Sequence, residues 1–207
     1  MDIKNEQSME QAILEEAEKL FLEKGFALTS TTEIAKKVGC NQALVHYYFR
    51  TKDNLFNTIF EQKFRVFFQH VFELENMEEL SFNDKLKHII ESHFDMIKAN
   101  AKLPLLIISE FSRRPEQINV LKEKLKNLPL ELFNKLNTDL ETEIEAGRIR
   151  PITIMDMIIT VASLNVSLFL LMPIASQVAS LNETQRQFII EHRREEHVKL
   201  ILNSLRP

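Results

Sequence analysis

The chain has 207 residues, 44% apolar and 27% charged, with a formal net charge of −4 at pH 7. That composition is ordinary for a soluble globular protein, and its acidic balance excludes a general coat for nucleic acid, so any DNA contact must be local. A single cysteine, Cys40, excludes an internal disulfide and fits a reducing compartment such as the cytoplasm.

The polar opening stretch MDIKNEQSMEQ has no apolar centre and does not read as a secretory signal. Ser8-x-x-Gln11 resembles a capping box and predicts a helix whose core residues are Ile13, Leu14, Ala17, Leu20 and Phe21. Gly25 is the natural stop. Thr31 can cap a second, short helix with Ile34, Ala35 and Val38 as its stripe, and Gly39 ends it. Asn41 can cap a third short helix in which Leu44, Val45 and Phe49 face inward. Thr51 can cap a fourth, running to about Glu73, with an apolar band from Leu55 through Phe56, Ile59, Phe60, Phe64, Phe67 and Phe68 to Val71.

Further along, Phe82–Asn100 carries Leu86, Ile89, Ile90, His93, Phe94 and Ile97 at helical spacing. A short helix over Leu103–Arg113 has Pro104 in its first turn and Pro115 beyond its end. Glu116–Gly147 reads as one long helix kinked at Pro129. Thr153-x-x-Asp156 can cap an uncharged helix bent at Pro173, and Asn182-x-x-Gln185 can cap the last one, whose seam is Val198, Ile201, Leu202 and Leu205. No strand pattern or repeat is present, so the expected fold is all-α with about nine helices. Met157–Leu181 holds no charged residue and is long enough to cross a bilayer. Its Thr160, Ser163, Asn165, Ser167 and Pro173 instead favour a helix buried in a core and a subunit interface, with no membrane involved.

Thr31–Phe56 carries the functional signal. A short helix, a glycine turn and a second short helix with polar and aromatic tips form the plan of a helix-turn-helix. Both tyrosines, Tyr47 and Tyr48, lie here. From Lys24 to Lys52 there are five basic residues and one acid, a local net charge of +4 on an acidic protein. Such an island suits a phosphate backbone. Val45 and Phe49 would seat the second helix, leaving Gln42, His46 and Tyr47 outward. Gln42 has the groups to pair bidentately with adenine, and the Ala43 methyl can touch thymine.

These segments, AEKLFLEKGF (Ala17–Phe26), TSTTEIAKKVG (Thr29–Gly39) and ALVHYYFRTKDNLF (Ala43–Phe56), resemble the DNA-binding domain of the TetR family of bacterial transcriptional regulators. The resemblance implies a three-helix DNA-binding domain over residues 1–52 and a larger helical ligand-binding and dimerisation domain over 53–207. It implies a homodimer that binds a double-stranded, near-palindromic operator in the cytoplasm and releases it when a small effector binds. By position, Thr31 would touch a phosphate, Gln42 and Ala43 base edges, and His46, Tyr47 and Lys52 further phosphates. Many members have lysine or glycine where Gln42 and Ala43 stand and tyrosine where His46 stands, so operator preference should differ from theirs.

For the effector, the candidates are His93, Phe94, Ile97, Ile107, Glu110, Phe111, Asn165 and Phe169. Glu110 is either an effector-binding carboxylate or, the blander reading, an exposed or paired glutamate. Asn165, amid apolar residues, must have a partner, in a pocket or across a dimer, because a buried unpaired amide costs ~1–3 kcal/mol. Tyr48 reads as a core aromatic and Cys40 as a small buried side chain, with a redox role as the alternative. His88 and His93 are five apart, as are His192 and His197, which is poor spacing for a metal pair on one helix. The run Glu191–His197 reads as a solvated face. No cofactor, metal or enzyme motif is found. The competing reading is a helical interaction or ligand-binding module without sequence-specific DNA binding.

Overall fold

The computed structural model describes residues 3–72, 79–124 and 130–207. Among these the secondary structure is helical: α1 (Ile3–Leu28), α2 (Thr31–Val38), α3 (Gln42–Phe49), α4 (Lys52–Phe72), α5 (Phe82–Ala99), α6 (Leu103–Arg113), α7 (Glu116–Lys124), α8 (Leu130–Glu145), α9 (Ile154–Val178) and α10 (Glu183–Ser204). The all-α expectation holds, with ten helical segments among the described residues. Of the stretch read as one helix over Glu116–Gly147, α7 and α8 are described; residues 125–129, with the Pro129 expected as its kink, lie outside the described residues, as does Glu73.

Two expected caps fail. Ser8 lies inside α1, which already starts at Ile3, and Gln11 donates along the helix to Glu15 instead (3.0 Å). The cap of α2 is Ser30, not Thr31: Ser30 has extended backbone and accepts from Glu33 N (3.1 Å). Of two adjacent hydroxyls, the one outside the helical turn does the capping, which leaves the Thr31 hydroxyl available. Asn41, Thr153 and the Asn182/Gln185 capping box behave as expected, and Thr51 Oγ1 accepts from Asn54 N (3.0 Å) at the start of α4. Gly25 breaks α1 with φ 82° and ψ 165°, which side-chain-bearing residues rarely adopt. Pro173 sits within α9, which continues to Val178.

The chain forms two compact units: Met1–Arg65 with Leu105–Lys126, and Val66–Pro104 with Asn127–Pro207. In the first, α1, α2 and α3 pack around Phe21, Ile34, Val45, Phe49 and Phe56. Phe26 and Phe56 meet edge to face at 5.0 Å, and Phe56 lies 4.4 Å from Phe60. From α6, Phe111 adds a ring 6.2 Å from Phe60. Between α6 and α7, Arg114 pairs with Asp53 and Glu110 and lies 3.9 Å from the Phe26 ring centre.

In the second unit, α5, α9 and α10 pack together, with α8 against α5 and α9. Their main cluster includes Leu86, Ile90, Leu140, Met157, Val161, Val198 and Ile201. The run Glu191–His197 is not a uniform solvated face. Arg194 reaches Asp95 (2.7 Å) and Glu91 (2.9 Å) on α5, and His197 is buried. A helix packed along its length against another puts every fourth residue into the contact, however charged the run looks. The α9 helix is long and apolar enough to cross a membrane by composition alone. One face of it, Met157, Val161, Asn165, Phe169 and Met172, is buried in this core.

Candidate nucleic-acid interface

Seating the reading helix takes few residues. Asn41 Oδ1 accepts from Leu44 N (2.8 Å) and fixes the start of α3, while Val45 and Phe49 sink into the core. The opposite face, Gln42, Ala43, His46 and Tyr47, is exposed, Tyr47 by 63%. Tyr48 is half-buried, its ring edge-on to Tyr47 at 5.3 Å. The helix ends in a tight reversal at Arg50, with φ 63° and ψ −51°, closed by Thr51 N donating to Phe49 O (2.6 Å). This is a γ-turn, a strained conformation for a residue with a side chain. Arg50→Gly should therefore raise stability by about 1 kcal/mol, seen as a higher thermal midpoint; an unchanged or lower midpoint would show that the turn stores no strain.

The exposed polar tips are joined. Gln42 Nε2 lies 3.1 Å from Thr31 Oγ1 and 3.2 Å from His46 Nε2, and His46 Nδ1 lies 2.9 Å from the Arg50 carbonyl. Lys52 is held differently from the sequence expectation. Its ammonium donates to Phe26 O (2.9 Å) and Thr29 O (2.8 Å) and lies 4.2 Å from the Phe26 ring centre. It thus clamps the carbonyls where α1 ends, and burial lowers its pKa from the ordinary lysine value. Lys24 is paired with Glu33. The cations left exposed on this surface are Lys36, Lys37 and Arg50, so the outward charge is smaller than the formal count. Burial raises the Cys40 thiol pKa, which keeps it protonated and counts against a thiolate sensor.

The effector candidates divide between the units. Ile107, Glu110 and Phe111 belong to the first, where Glu110 is buried (5% exposed) and paired with Arg114, and Phe111 packs near Phe60. His93, Phe94, Ile97, Asn165 and Phe169 belong to the second. Phe94, Ile97 and Phe169 form an apolar cluster with Met172 and Ile190. Asn165 is 0% exposed and finds its partners inside the subunit: it reaches Ile90 O (3.0 Å) and His93 Nδ1 (3.1 Å), and accepts from His197 Nδ1 (2.7 Å). A contact across a dimer is thereby ruled out for it. Sequence reasoning missed His197, because it compared histidines along one helix and not across three. The signal available was the seam α10 shows, in which His197 precedes Val198 and lies four residues before Ile201. Among the described residues, no group of three or more His, Cys, Asp or Glu is placed to hold a metal.

A capped, exposed short helix set against a second one, with cations beside it, defines a DNA-reading head. Comparison with known proteins specifies which. The family described as "Bacterial regulatory proteins, tetR family" matches residues 13–59. The fatty acid metabolism regulator protein of Bacillus subtilis is 23% identical over 67% of this chain and 69% of its own. The HTH-type transcriptional regulator AcrR of Shigella flexneri is 28% identical over 68% of this chain and 66% of its own. A bacterial regulatory protein in the tetR family from Rhodococcus RHA1 shares the fold, with a TM-score of 0.71, 18% identity, and 95% and 96% of the two chains covered. By these matches the chain is similar to TetR-family regulators, with the family model confined to its N-terminal segment. The matched family and both relatives are transcriptional regulators, not enzymes.

Proposed function

We propose that the protein is a homodimeric repressor that holds a near-palindromic operator and lets it go when a small apolar molecule binds among the helices of the second unit. The observation that carries the DNA half is the α3 surface, where Gln42, Ala43, His46 and Tyr47 stand exposed on a helix whose other face is core. Phosphate contacts from Thr31 and the basic residues would set register, and Gln42 and Ala43 would read bases. Lys52 keeps one ammonium hydrogen for a phosphate beyond the two carbonyls it holds.

Support for the dimer comes from α9 and α10. Opposite the buried stripe of α9, Met155, Ile159, Leu171, Ile174 and Val178 are exposed, as are Phe188 and Leu200 on α10. An apolar flank of this kind suits a four-helix bundle with a second copy. The two reading helices would then sit ~34–36 Å apart in successive major grooves. An apolar effector is favoured by the apolar lining candidates Phe94, Ile97 and Phe169 and by the fatty acid relative. Effector and operator would oppose each other through a reciprocal coupling of ~1–3 kcal/mol.

The test is fluorescence anisotropy on DNA from upstream of the protein's own gene, against unrelated duplex, with and without oleic acid. Preferential binding that weakens with the fatty acid is expected. Equal binding to both duplexes would refute the regulator reading, and indifference to fatty acids would refute the effector class. Lys52→Ala should weaken binding to every sequence and lower the log–log salt slope by about one. A wild-type slope in that variant would remove Lys52 from the phosphate contacts.

A further inference from the structure

We infer that Gln42 reads the operator with its carbonyl oxygen alone, as an acceptor, because His46 and Thr31 occupy both of its amide hydrogens. The inference rests on α3 entering the major groove and adds what it recognises there.

The argument begins at the γ-turn. The Arg50 carbonyl can only accept, so His46 Nδ1, 2.9 Å away, must carry a hydrogen. In the neutral imidazole the other nitrogen, Nε2, is then an acceptor. Its neighbour at 3.2 Å is the Gln42 side chain, which must present its NH2 and not its oxygen. The second amide hydrogen points to Thr31 Oγ1 at 3.1 Å. Thr31 can take this bond because Ser30, not Thr31, caps α2. Both donors are engaged, and Oε1 is the group left for a partner. The orientation of one exposed amide is thus fixed by a strained turn eight residues further on, with His46 as the positioning residue.

An acceptor-only probe sees a simple code. In the major groove adenine offers its N6 amino group and cytosine its N4 amino group, whereas guanine and thymine present acceptors at the corresponding edge. The bidentate pairing of glutamine with adenine also needs an N–H for N7. Here that N–H must be taken from Thr31 or His46. The position facing Gln42 should therefore accept adenine or cytosine and reject guanine and thymine. Removing the His46 acceptor releases one N–H and should narrow the choice to adenine.

The experiment selects binding sites from a random duplex library with the purified full chain. Each position of the recovered half-site is then replaced by all four base pairs and affinities are measured by anisotropy, for wild type, His46→Phe and Gln42→Glu. Wild type should show one position tolerating adenine and cytosine and weakened about tenfold by guanine or thymine. In His46→Phe that position should prefer adenine over cytosine by about tenfold. Gln42→Glu, which has only acceptors, should keep the tolerance for amino-bearing bases whatever its overall affinity. If wild type already demands adenine or guanine at every position, or if His46→Phe leaves the rank order unchanged, the acceptor-only reading is overturned. If the library yields no enriched sequence at all, the DNA-reading assignment itself fails, a distinguishable result. Thermal midpoints of both variants show that the rank order is read from folded protein.

Discussion

Asn165→Leu should cost roughly 3 kcal/mol of stability although it replaces one side chain with another of the same branching and heavy-atom count. Asn165 is fully enclosed and satisfies groups from two other helices: the Ile90 carbonyl and His93 on α5, and His197 on α10. Leucine can meet none of them. The His197 Nδ1–H would be left buried without an acceptor, and a buried orphaned polar group costs ~1–3 kcal/mol, here with more than one affected. His197 also accepts from Arg193 Nη2 (3.1 Å), so its ring has no easy alternative orientation. Urea unfolding monitored by far-UV dichroism measures the difference. A loss below about 1 kcal/mol would mean that the network relaxes or contributes little.

The same network sets a pH dependence. Burial lowers the pKa of His93 to about 4, and burial together with the neighbouring Arg193 does the same to His197. Both rings are therefore neutral in the folded protein at pH 5, where an unfolded histidine, with an ordinary value near ~6.5, is mostly charged. Acid favours the state that binds more protons, so stability should fall as pH drops from ~6.5 towards 4 and level off below that. The total is on the order of 3 kcal/mol, less than two independent shifts would give because the rings share Asn165. A profile flat across this window would show that the imidazoles are already protonated in the fold.

The second large effect belongs to Arg114. Its guanidinium binds Asp53 on α4 and Glu110 on α6 and covers the Phe26 ring. Glu110 is almost wholly buried, so Arg114→Met leaves a carboxylate in the interior without its cation. Losing one partner of a buried pair costs ~3–5 kcal/mol; Arg114 itself is partly exposed, which brings the expectation to about 2–3 kcal/mol. The double variant Arg114→Met with Glu110→Met should recover part of that loss, because replacing both ions by apolar groups is often near neutral. If the double variant is less stable than the single one, the penalty is not an unpaired charge. Asn57, which is buried and donates to Gln117 (3.1 Å), makes a second link between α4 and α7.

The first four helices were legible because their signals are local. Caps at Asn41 and Thr51, glycines at positions that take positive φ, and stripes such as Ile34–Ala35 need no knowledge of the rest of the chain. Most of what was missed has one cause, which is that sequence spacing says nothing about what arrives from elsewhere. The intramolecular partners of Lys52 were hidden because the carbonyls of Phe26 and Thr29 are backbone atoms any sequence would supply. Glu110 gave no sign of its ion pair beyond an arginine four residues on. Nothing in Leu105–Lys126 announces that it packs with the N-terminal helices. The exposed amide–imidazole–hydroxyl chain joining α3 to Thr31 of α2 was invisible for another reason: it depends on which of two neighbouring hydroxyls caps α2, a choice made by backbone geometry.

The α9 helix is greasy on two flanks, and only one is covered within a subunit. If a second copy covers the other, folding and self-association become linked by mass action, and the melting temperature climbs as the sample is concentrated. In a cell with few copies, dilution alone would then loosen the protein, so its own abundance would help to set its lifetime.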